Sequence, residues 1–331
     1  MTEHPMTSHS PARRGLVPAG TYEAPYQLAA PWGARGYVSP LARPVHWIEF
    51  GTETAGPPIV FVHGLGGSHL NWTLVGAELG AGRRALALDL SGFGLTQGFR
   101  RTATIDANLA LLDQFIREVA GEPAILIGNS MGGMLSILQA AARPDSVAGL
   151  ILIAPALPPR LRPPDLRVAR ELLTYAVPGL GQAYLKALHD MATPPQLVRR
   201  VIELCFADPG RADPAMVAAA VELAEIRQNV RGKDESLLAA ARSLMKVASQ
   251  SQRYWAKMAS LRGPVLLIGG TGDRLVPPAS IRAAAARNPG WQTVIIEDVG
   301  HTPQLEAPRE LIAVAADWLD RHFAKPRSEE W

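Results

Sequence analysis

A serine stands in a run of small residues, GNSMG at positions 128 to 132, between two apolar segments. The segment before it, residues 123 to 127, predicts a buried strand, and the segment MGGMLSILQAAA that begins at Met131 predicts a helix. A sharp turn from strand to helix presents a hydroxyl at the carboxyl end of a sheet, and glycines on either side leave room for neighbouring backbone. The pattern alone also occurs by chance, but this context predicts that Ser130 is a nucleophile.

A serine hydroxyl needs a base within hydrogen-bonding distance before it can attack a carbonyl group. The chain offers eight histidines, and His301 is the one that follows the last predicted strand, in the sequence DVGHTPQLEAP. The loop after that strand lies at the carboxyl edge of the sheet, where ligands bind in open α/β sheets. We therefore expect His301 to be the base.

A carboxylate should hold the imidazole in the correct tautomer and stabilise the imidazolium. Asp273, in LLIGGTGDRLVPP, follows the strand that begins at Pro264 and so reaches the same edge. Asp298 is the rival, although it lies on the strand just before His301 and close to it in sequence. We favour Asp273 as the acid.

The glycine-rich segment HGLGGS, residues 63 to 68, follows the predicted strand PIVFV. Glycines there let the backbone N–H of Leu65 turn toward the nucleophile, where it would form an oxyanion hole with the N–H of Met131. A phosphate-binding loop is excluded because the Lys and Ser/Thr pair that follows its last glycine is missing. The sequence therefore predicts stabilisation of a negatively charged oxygen, not nucleotide binding.

Strands and helices must position the candidate site residues. Short runs rich in Val, Ile, Leu and Ala predict the strands of a mostly parallel sheet that is covered on both faces. The predicted strands span residues 45 to 50, 58 to 64, 84 to 90, 123 to 129, 147 to 156, 264 to 270 and 292 to 299. Helical segments alternate with them, such as residues 104 to 120, for which Thr104 is a candidate N-cap. The alternation predicts a doubly wound α/β fold.

Between residues 157 and 262 no strand-like run occurs, which predicts a helical cap inserted after the sixth core strand. Its helix-like segments span residues 161 to 179, 194 to 206, 213 to 229 and 235 to 261. The expected organisation is a flexible N-terminal tail (1–40), a first core part (41–156), the cap (157–262), a second core part (263–325) and a C-terminal tail (326–331).

Composition excludes several classes of function for this chain of 331 residues. The net charge is only +3 and the arginines are scattered, so we expect no nucleic-acid partner. Cys205 is the single cysteine, so no disulfide within the chain is possible and the cytoplasm is the expected location. No apolar segment suits a signal peptide or a membrane span, and we expect neither a cofactor nor a metal.

Taken together, the motifs resemble the α/β-hydrolase superfamily, in its chain order of oxyanion loop, serine elbow, acid and histidine, over residues 45 to 325. The segment DLSGFGLT, residues 89 to 96, resembles the Asp-x-x-Gly-Phe-Gly stretch common after the fourth strand of that family. Because the elbow carries a serine, the related haloalkane dehalogenases and epoxide hydrolases, which use aspartate, are poor models. The resemblance implies a nucleophile Ser130, a general base and acid His301, an orienting acid Asp273, and oxyanion donors Leu65 and Met131.

The leading hypothesis is a cofactor-free serine hydrolase that cleaves carboxylic esters of apolar acyl or ring-bearing small molecules through an acyl-enzyme. The apolar cap helices and the pair Tyr254 and Trp255 favour such a substrate, unless those faces merely pack the cap on the core. One alternative is a carbon–carbon bond hydrolase of ring-cleavage diketones. Another is a protein that binds an apolar ligand without catalysis. The sequence does not predict the oligomeric state.

Overall fold

A computed structural model describes residues 17–51, 56–121, 123–158 and 174–323. Residues 1–16 of the expected N-terminal tail, the expected C-terminal tail and residues 161–173 of the first predicted cap helix lie outside the described residues. The strands are β1 Tyr22–Glu23, β2 Arg35–Pro40, β3 Pro44–Phe50, β4 Ile59–Val62, β5 Ala85–Leu88, β6 Ala124–Asn129, β7 Val147–Ile153, β8 Val265–Gly270 and β9 Gln292–Ile296.

All the described strands join one sheet in the order β1-β2-β3-β5-β4-β6-β7-β8-β9. Strands β1, β2 and β3 run antiparallel at one side, and β3 pairs antiparallel with β5. From β5 to β9 every neighbouring pair is parallel, so the carboxyl ends of these strands meet at one edge. This is the mostly parallel α/β sheet that the sequence predicts, and the loops expected to carry chemistry follow β4, β6, β8 and β9.

The strands at the centre of the sheet are buried on both faces. Their apolar side chains point alternately to the two faces, and each face is covered by a core cluster. In β4, Val60 and Val62 join one core cluster while Ile59 and Phe61 join the other, and all four are fully buried. Such double burial explains the continuous apolar runs of the sequence. The helices of the described residues are α1 Gly76–Leu79, α2 Ile105–Phe115, α3 Met131–Ala142, α4 Leu180–Met191, α5 Pro194–Cys205, α6 Pro214–Arg227, α7 Lys233–Ser249, α8 Ser251–Ala259, α9 Pro278–Arg287, α10 Pro303–Glu306 and α11 Pro308–Phe323.

Helices cover both faces of the sheet. Apolar residues of α2, α3, α8 and α9 pack in one core cluster, and those of α1 and α11 pack in the other. The side chain of Thr104 caps α2, as predicted, by accepting a hydrogen bond from the N–H of Ala107 at 3.3 Å. None of the helices in the described ranges has both the length and the apolar character that a membrane crossing requires.

The part of the expected N-terminal tail that is described does not behave as a tail. Strand β2 pairs with β3 over six residues, and the ring of Tyr37 stacks on that of Trp47 with centroids 4.7 Å apart. The sequence RGYVSP of β2 contains a glycine and a proline and shows no clear alternation, so its strand character depends on pairing with β3. The ordered core therefore begins before residue 41.

Within the described part of the cap, residues 174 to 262, every regular element is helical. These helices follow β7, which is the sixth strand when the two-residue β1 is left out, but this count includes β2, which was not predicted. Two details differ from the predicted helices. Helix α4 was not among the predicted segments, and the long segment 235 to 261 divides into α7 and α8 at Gln250, whose ψ of 52° interrupts the helix.

Candidate active site

Ser130 occupies a strained turn between β6 and α3. Its φ of 54° and ψ of −115° are unusual for a residue with a side chain, and such backbone strain costs about 1 to 3 kcal/mol. Surrounding hydrogen bonds maintain it: the N–H of Ser130 donates to the carbonyl of Ile153 at 3.0 Å, and its own carbonyl accepts from Ala156 at 2.9 Å. The side chain is partly exposed although both sequence neighbours are buried, so the hydroxyl is presented at the carboxyl edge of the sheet.

The glycines around Ser130 are required by close backbone contacts. A Cβ atom at Gly132 would lie 1.9 Å from the carbonyl oxygen of Val62, which is far below any possible contact distance. A Cβ atom at Gly128 would lie 2.5 Å from the carbonyl oxygen of Gly132. The first turn of α3 is therefore pressed against the ends of β4 and β6, as the sequence predicts for an elbow.

His301 and Asp273 form a buried pair at the same edge. Nδ1 of His301 lies 2.9 Å from Oδ2 of Asp273, and each residue is only 4% exposed. The other carboxylate oxygen of Asp273 accepts hydrogen bonds from the N–H groups of Leu275 and Val276 at 2.8 and 2.9 Å. These contacts orient the carboxylate so that Oδ2 faces the imidazole, which leaves Nε2 as the ring nitrogen able to exchange a proton.

Asn129 connects the serine turn to the histidine loop, and the sequence analysis did not identify it. Its Nδ2 donates to the carbonyl oxygen of Ile153 at 3.1 Å and to that of His301 at 3.0 Å. The residue before Ser130 thus contacts the backbone of His301 directly, across 172 positions of sequence. No signal in the sequence could have shown this, because the pattern Gly-x-Ser-x-Gly leaves that position free.

The segment after β4 lies beside Ser130, as the prediction of an oxyanion hole requires. A Cβ atom at Gly64 would come 3.2 Å from the Cβ of Ser130, so the loop that carries Leu65 contacts the elbow. Met131 is the first residue of α3, where N–H groups have no acceptor within the helix. Both predicted oxyanion donors are therefore on segments next to the serine.

His63 supports the loop after β4 that carries Leu65. Its Nε2 accepts from the N–H of Leu90 at 3.0 Å, so the proton must be on Nδ1, which donates to the carbonyl of Gly64 at 2.7 Å. Complete burial lowers the pKa of His63 to about 4, which keeps the ring neutral. The ring therefore serves to hold the loop rather than to transfer protons.

Asp89, the first residue of DLSGFGLT, is a fully buried centre of hydrogen bonds. Its Oδ2 lies 2.7 Å from Nδ1 of His46, 2.9 Å from Nδ1 of His69 and 2.8 Å from the N–H of Leu95. Burial alone would raise the pKa of Asp89, but the charge and hydrogen bonds of the two histidines outweigh burial and hold it well below its usual value. A Cβ atom at Gly94 would lie 2.0 Å from the carboxyl carbon, so this glycine is needed.

Among the described residues, the trio of His46, His69 and Asp89 has the composition and proximity to hold a metal ion. The two imidazole nitrogens that face Asp89 are already at hydrogen-bonding distance from a single carboxylate oxygen, and all three residues are buried. A metal would have to displace these hydrogen bonds. We interpret the trio as a structural connection between β3, β5 and the loop after β4.

Three further residues that the sequence analysis considered are the rival acid Asp298 and the pair Tyr254 and Trp255. Asp298 has a φ of 53° and an exposed side chain, and the structure pairs His301 with Asp273 instead. Tyr254 is buried and its hydroxyl donates to the carbonyl of Ala156 at 2.9 Å, while the ring of Trp255 lies 4.8 Å from the guanidinium of Arg287. Both aromatic residues therefore pack the cap on the core, which was the alternative to substrate contact.

Known proteins resemble this chain over most of its length. The sequence profile described as "Alpha/beta hydrolase family" matches residues 59–314. A dihydrolipoyllysine-residue acetyltransferase component of the acetoin cleaving system of Pseudomonas putida is 30% identical over 85% of this chain and 68% of its own length. The chain spans about two thirds of the length of such components. A pimeloyl-[acyl-carrier protein] methyl ester esterase of Aromatoleum aromaticum is 28% identical over 79% of this chain and 97% of its own length.

Solved structures support the same fold. A haloalkane dehalogenase from Bradyrhizobium elkani superposes with a TM-score of 0.74 at 22% identity, over 87% of this chain and 98% of its own. At that identity the likeness shows the architecture alone. The chemistry must be argued from the side chains at the edge of the sheet.

Proposed function

This chain belongs to the alpha/beta hydrolase family, and from that membership we propose that it cleaves carboxylic esters with Ser130 as the nucleophile. Esterases and a lipase occur among its relatives, which supports hydrolysis of esters in general. The assignment of individual residues and of the substrate class is our proposal. It depends on the geometry around Ser130.

In the proposed reaction, Oγ of Ser130 attacks the ester carbonyl while Nε2 of His301 accepts the hydroxyl proton. Asp273 holds the Nδ1–H of the ring and stabilises the imidazolium that forms. The N–H groups of Leu65 and Met131 stabilise the negative charge on the carbonyl oxygen, and one such donor contributes about 3 kcal/mol. His301 then protonates the leaving alcohol, and it activates the water that releases the acid.

The observation that supports the proposal most directly is the hydrogen bond from Asn129 to the carbonyl of His301, at 3.0 Å. It joins the residue before the candidate nucleophile to the candidate base. Since the ring of His301 is also bonded to Asp273, one set of contacts links the nucleophile turn, the base and the acid. These contacts bring the backbone of the candidate base next to the turn of the candidate nucleophile, and proton transfer between the two side chains requires such proximity.

Apolar side chains around the site support an apolar acyl or ring-bearing substrate. Leu65 and Leu157 are partly exposed and pack against the core cluster that contains Met131 and Val276. These residues follow or adjoin the carboxyl ends of β4, β6, β7 and β8, the same edge that carries Ser130. An apolar group on either side of an ester would be stabilised there by burial.

Replacing Ser130 with alanine tests the mechanism. We expect S130A to lose labelling by a fluorophosphonate probe and to hydrolyse p-nitrophenyl butyrate about six orders of magnitude more slowly, because the nucleophile is absent. S249A is a matched control, since it removes an exposed serine hydroxyl from the cap helix α7. If S130A folds and still labels as S249A does, the proposed nucleophile is wrong.

A second candidate function is acyl transfer, which the acetyltransferase component of Pseudomonas putida favours by its 30% identity. The first step would be the same, but a thiol instead of water would resolve the acyl-enzyme. Turnover of p-nitrophenyl acetate with and without dihydrolipoamide separates the two. Acetyl-dihydrolipoamide formed faster than acetate would favour transfer, and a rate and product independent of the thiol would favour hydrolysis.

A further inference from the structure

Glu306 is a buried carboxylate near the candidate site that the proposed reaction does not use. It is 4% exposed and lies in the short helix α10, which follows the loop of His301. Its Oε2 accepts hydrogen bonds from the N–H groups of Gly300 at 2.7 Å and Ala207 at 3.1 Å, and Oε1 accepts from Asp208 at 2.8 Å. Backbone amides thus take the place of water around this charge.

The amides bound by Glu306 belong to two segments that are distant in sequence. Gly300 precedes His301 in the loop after β9, whereas Ala207 and Asp208 follow helix α5 in the cap. The carboxylate therefore clamps part of the cap to the loop that carries the candidate base. Arg211, whose Nη1 lies 4.0 Å from Oε1, contributes at most a weak ion pair.

The two segments touch through their backbones. The N–H of His301 donates to the carbonyl of Cys205 at 2.6 Å. A Cβ atom at Gly300 would lie 2.3 Å from that same oxygen and 2.7 Å from the nitrogen of Ala207. Because no side chain separates residues 205 to 208 from residues 300 and 301, a small shift of the cap segment is transmitted directly to the backbone of His301.

We propose that Glu306 is a positioning residue that holds the backbone of residues 300 and 301 against residues 205 to 208 of the cap. This inference rests on the proposed function of His301. Asp273 holds the imidazole of His301, and Asn129 holds the backbone carbonyl of the same residue. Glu306 binds the N–H of Gly300, the residue before His301, and the N–H of His301 itself donates to the carbonyl of Cys205, so the cap is part of the support for the base.

A glutamine at position 306 is nearly the same size but cannot reproduce these contacts. It has one acceptor oxygen, and its NH2 group would face at least one of the three N–H donors now bound by the carboxylate. The loop of His301 would shift to relieve that opposition. Misplacement of a reacting group by about 1 Å can cost about a hundredfold in rate.

The test compares E306Q with E310Q, which removes a carboxylate from an exposed position only four residues away. Both variants are examined for folding by circular dichroism, for kcat and KM with p-nitrophenyl butyrate, and for the rate of fluorophosphonate labelling. We expect E306Q to lower kcat and the labelling rate about 30- to 100-fold, with KM changed less than about threefold. E310Q should behave as the unaltered protein.

A spectroscopic readout separates this inference from the proposed function. We expect the Nδ1 proton of His301, hydrogen-bonded to Asp273, to give a downfield proton NMR signal that is assigned by its loss in H301Q. We expect E306Q to shift or broaden that signal, and E310Q to leave it unchanged. If the unaltered protein neither labels nor hydrolyses esters, the proposed function fails, and this signal still decides the role of Glu306.

Two results would overturn the inference. One is a folded E306Q with kcat and labelling rate within about twofold of the unaltered protein, and the other is an unchanged His301 signal. If E306Q does not fold, E306D replaces it, because aspartate keeps both oxygens and the charge but withdraws them by one methylene. E306D with unaltered kcat and an unaltered signal would then reject the positioning role.

Discussion

Asn129 joins two separate segments of backbone through a single amide group. Its Nδ2 donates to two carbonyl oxygens, those of Ile153 and His301, and the residue is 2% exposed. If the amide were lost, the carbonyl of His301 would lose this donor, whereas the carbonyl of Ile153 would keep the hydrogen bond from the N–H of Ser130. A side chain that takes no part in the proposed chemistry therefore ties the backbone of the candidate base to the residue before the candidate nucleophile.

Replacing Asn129 with aspartate should be costly because a carboxylate has no hydrogen to donate. Its oxygen would instead face the carbonyl oxygens of Ile153 and His301. We expect N129D to lose about 2 to 4 kcal/mol of unfolding free energy, measured by urea denaturation. We also expect folded N129D to label more slowly with a fluorophosphonate probe, by about tenfold or more.

Asn288 provides the matched control for this experiment. It is also buried, and its Nδ2 donates to the carbonyl of Ala284 at 2.8 Å, within and just after helix α9. N288D should lower stability but leave the labelling rate unchanged. Equal labelling rates for folded N129D and N288D would contradict the role given to Asn129.

Among the elements, the junction of β4, β6 and α3 is the most tightly built. The start of α3 lies against the carbonyl oxygen of Val62, and only a residue without Cβ allows this approach at Gly132. The helix N-terminus then points at the partly exposed side chain of Ser130, where its partial positive charge favours an oxyanion. The strain of the serine is thus maintained by packing between elements.

We expect Gly132→Ala to destabilise the protein by about 3 kcal/mol or more, because the new Cβ would lie 1.9 Å from backbone oxygen and force strands or helix apart. Gly290→Ala is the matched control. Its Cβ would meet no atom within 4 Å, and it should be neutral or stabilise by up to about 1 kcal/mol. Urea denaturation measures both changes. Similar midpoints for the two variants would show that α3 can move away from β4.

The elements that the sequence predicted best are those with a strong local pattern. The strands at the sheet centre and helix α2 with its Thr104 cap are confirmed. Burial on two faces and helical periodicity both produce patterns among residues that are close in sequence. Strand β2 was missed because its strand character comes from pairing with β3. The end of α7 was missed because nothing in the local sequence distinguishes Gln250 from a helical residue.

On the scale of the whole molecule, buried histidines make stability depend on pH. His63 has its pKa lowered by burial to about 4, and burial also lowers the pKa of His46. In the unfolded chain a histidine titrates near pH 6.5, so between about pH 6.5 and 4 the unfolded state binds more protons than the folded state. Unfolding free energy must therefore fall as the pH falls through this window.

For His63 the effect amounts to about 3 kcal/mol across that window. We expect H63Q to be less stable at pH 7.5, because it loses the bond to Gly64, but to lose less further stability on acidification. Urea denaturation at pH 7.5, 6.5, 5.5 and 4.5 gives the two slopes. H322Q is the control, since His322 is exposed and its replacement should keep the original slope. A slope for H63Q equal to that of H322Q would rule out His63 as the source.

The site shows where sequence reasoning ends. The structure pairs His301 with Asp273, the two partners chosen from their positions after β9 and β8, because strand order at a sheet edge is a regular property of the fold. Asn129 and Glu306 were not chosen. Asn129 binds backbone groups 24 and 172 residues away, and two of the three N–H groups bound by Glu306 are 98 and 99 residues away. Contacts of side chains with distant backbone leave no periodic trace in a sequence.

The order of the strands along the chain also has a consequence for biosynthesis. A ribosome completes the glycine-rich loop, the serine turn and then the acid before it makes β9 and His301. In a nascent chain the hydroxyl group of Ser130 is therefore present long before the imidazole of His301. During synthesis or refolding, reactivity of the serine should therefore appear only after β9 and His301 have joined the sheet.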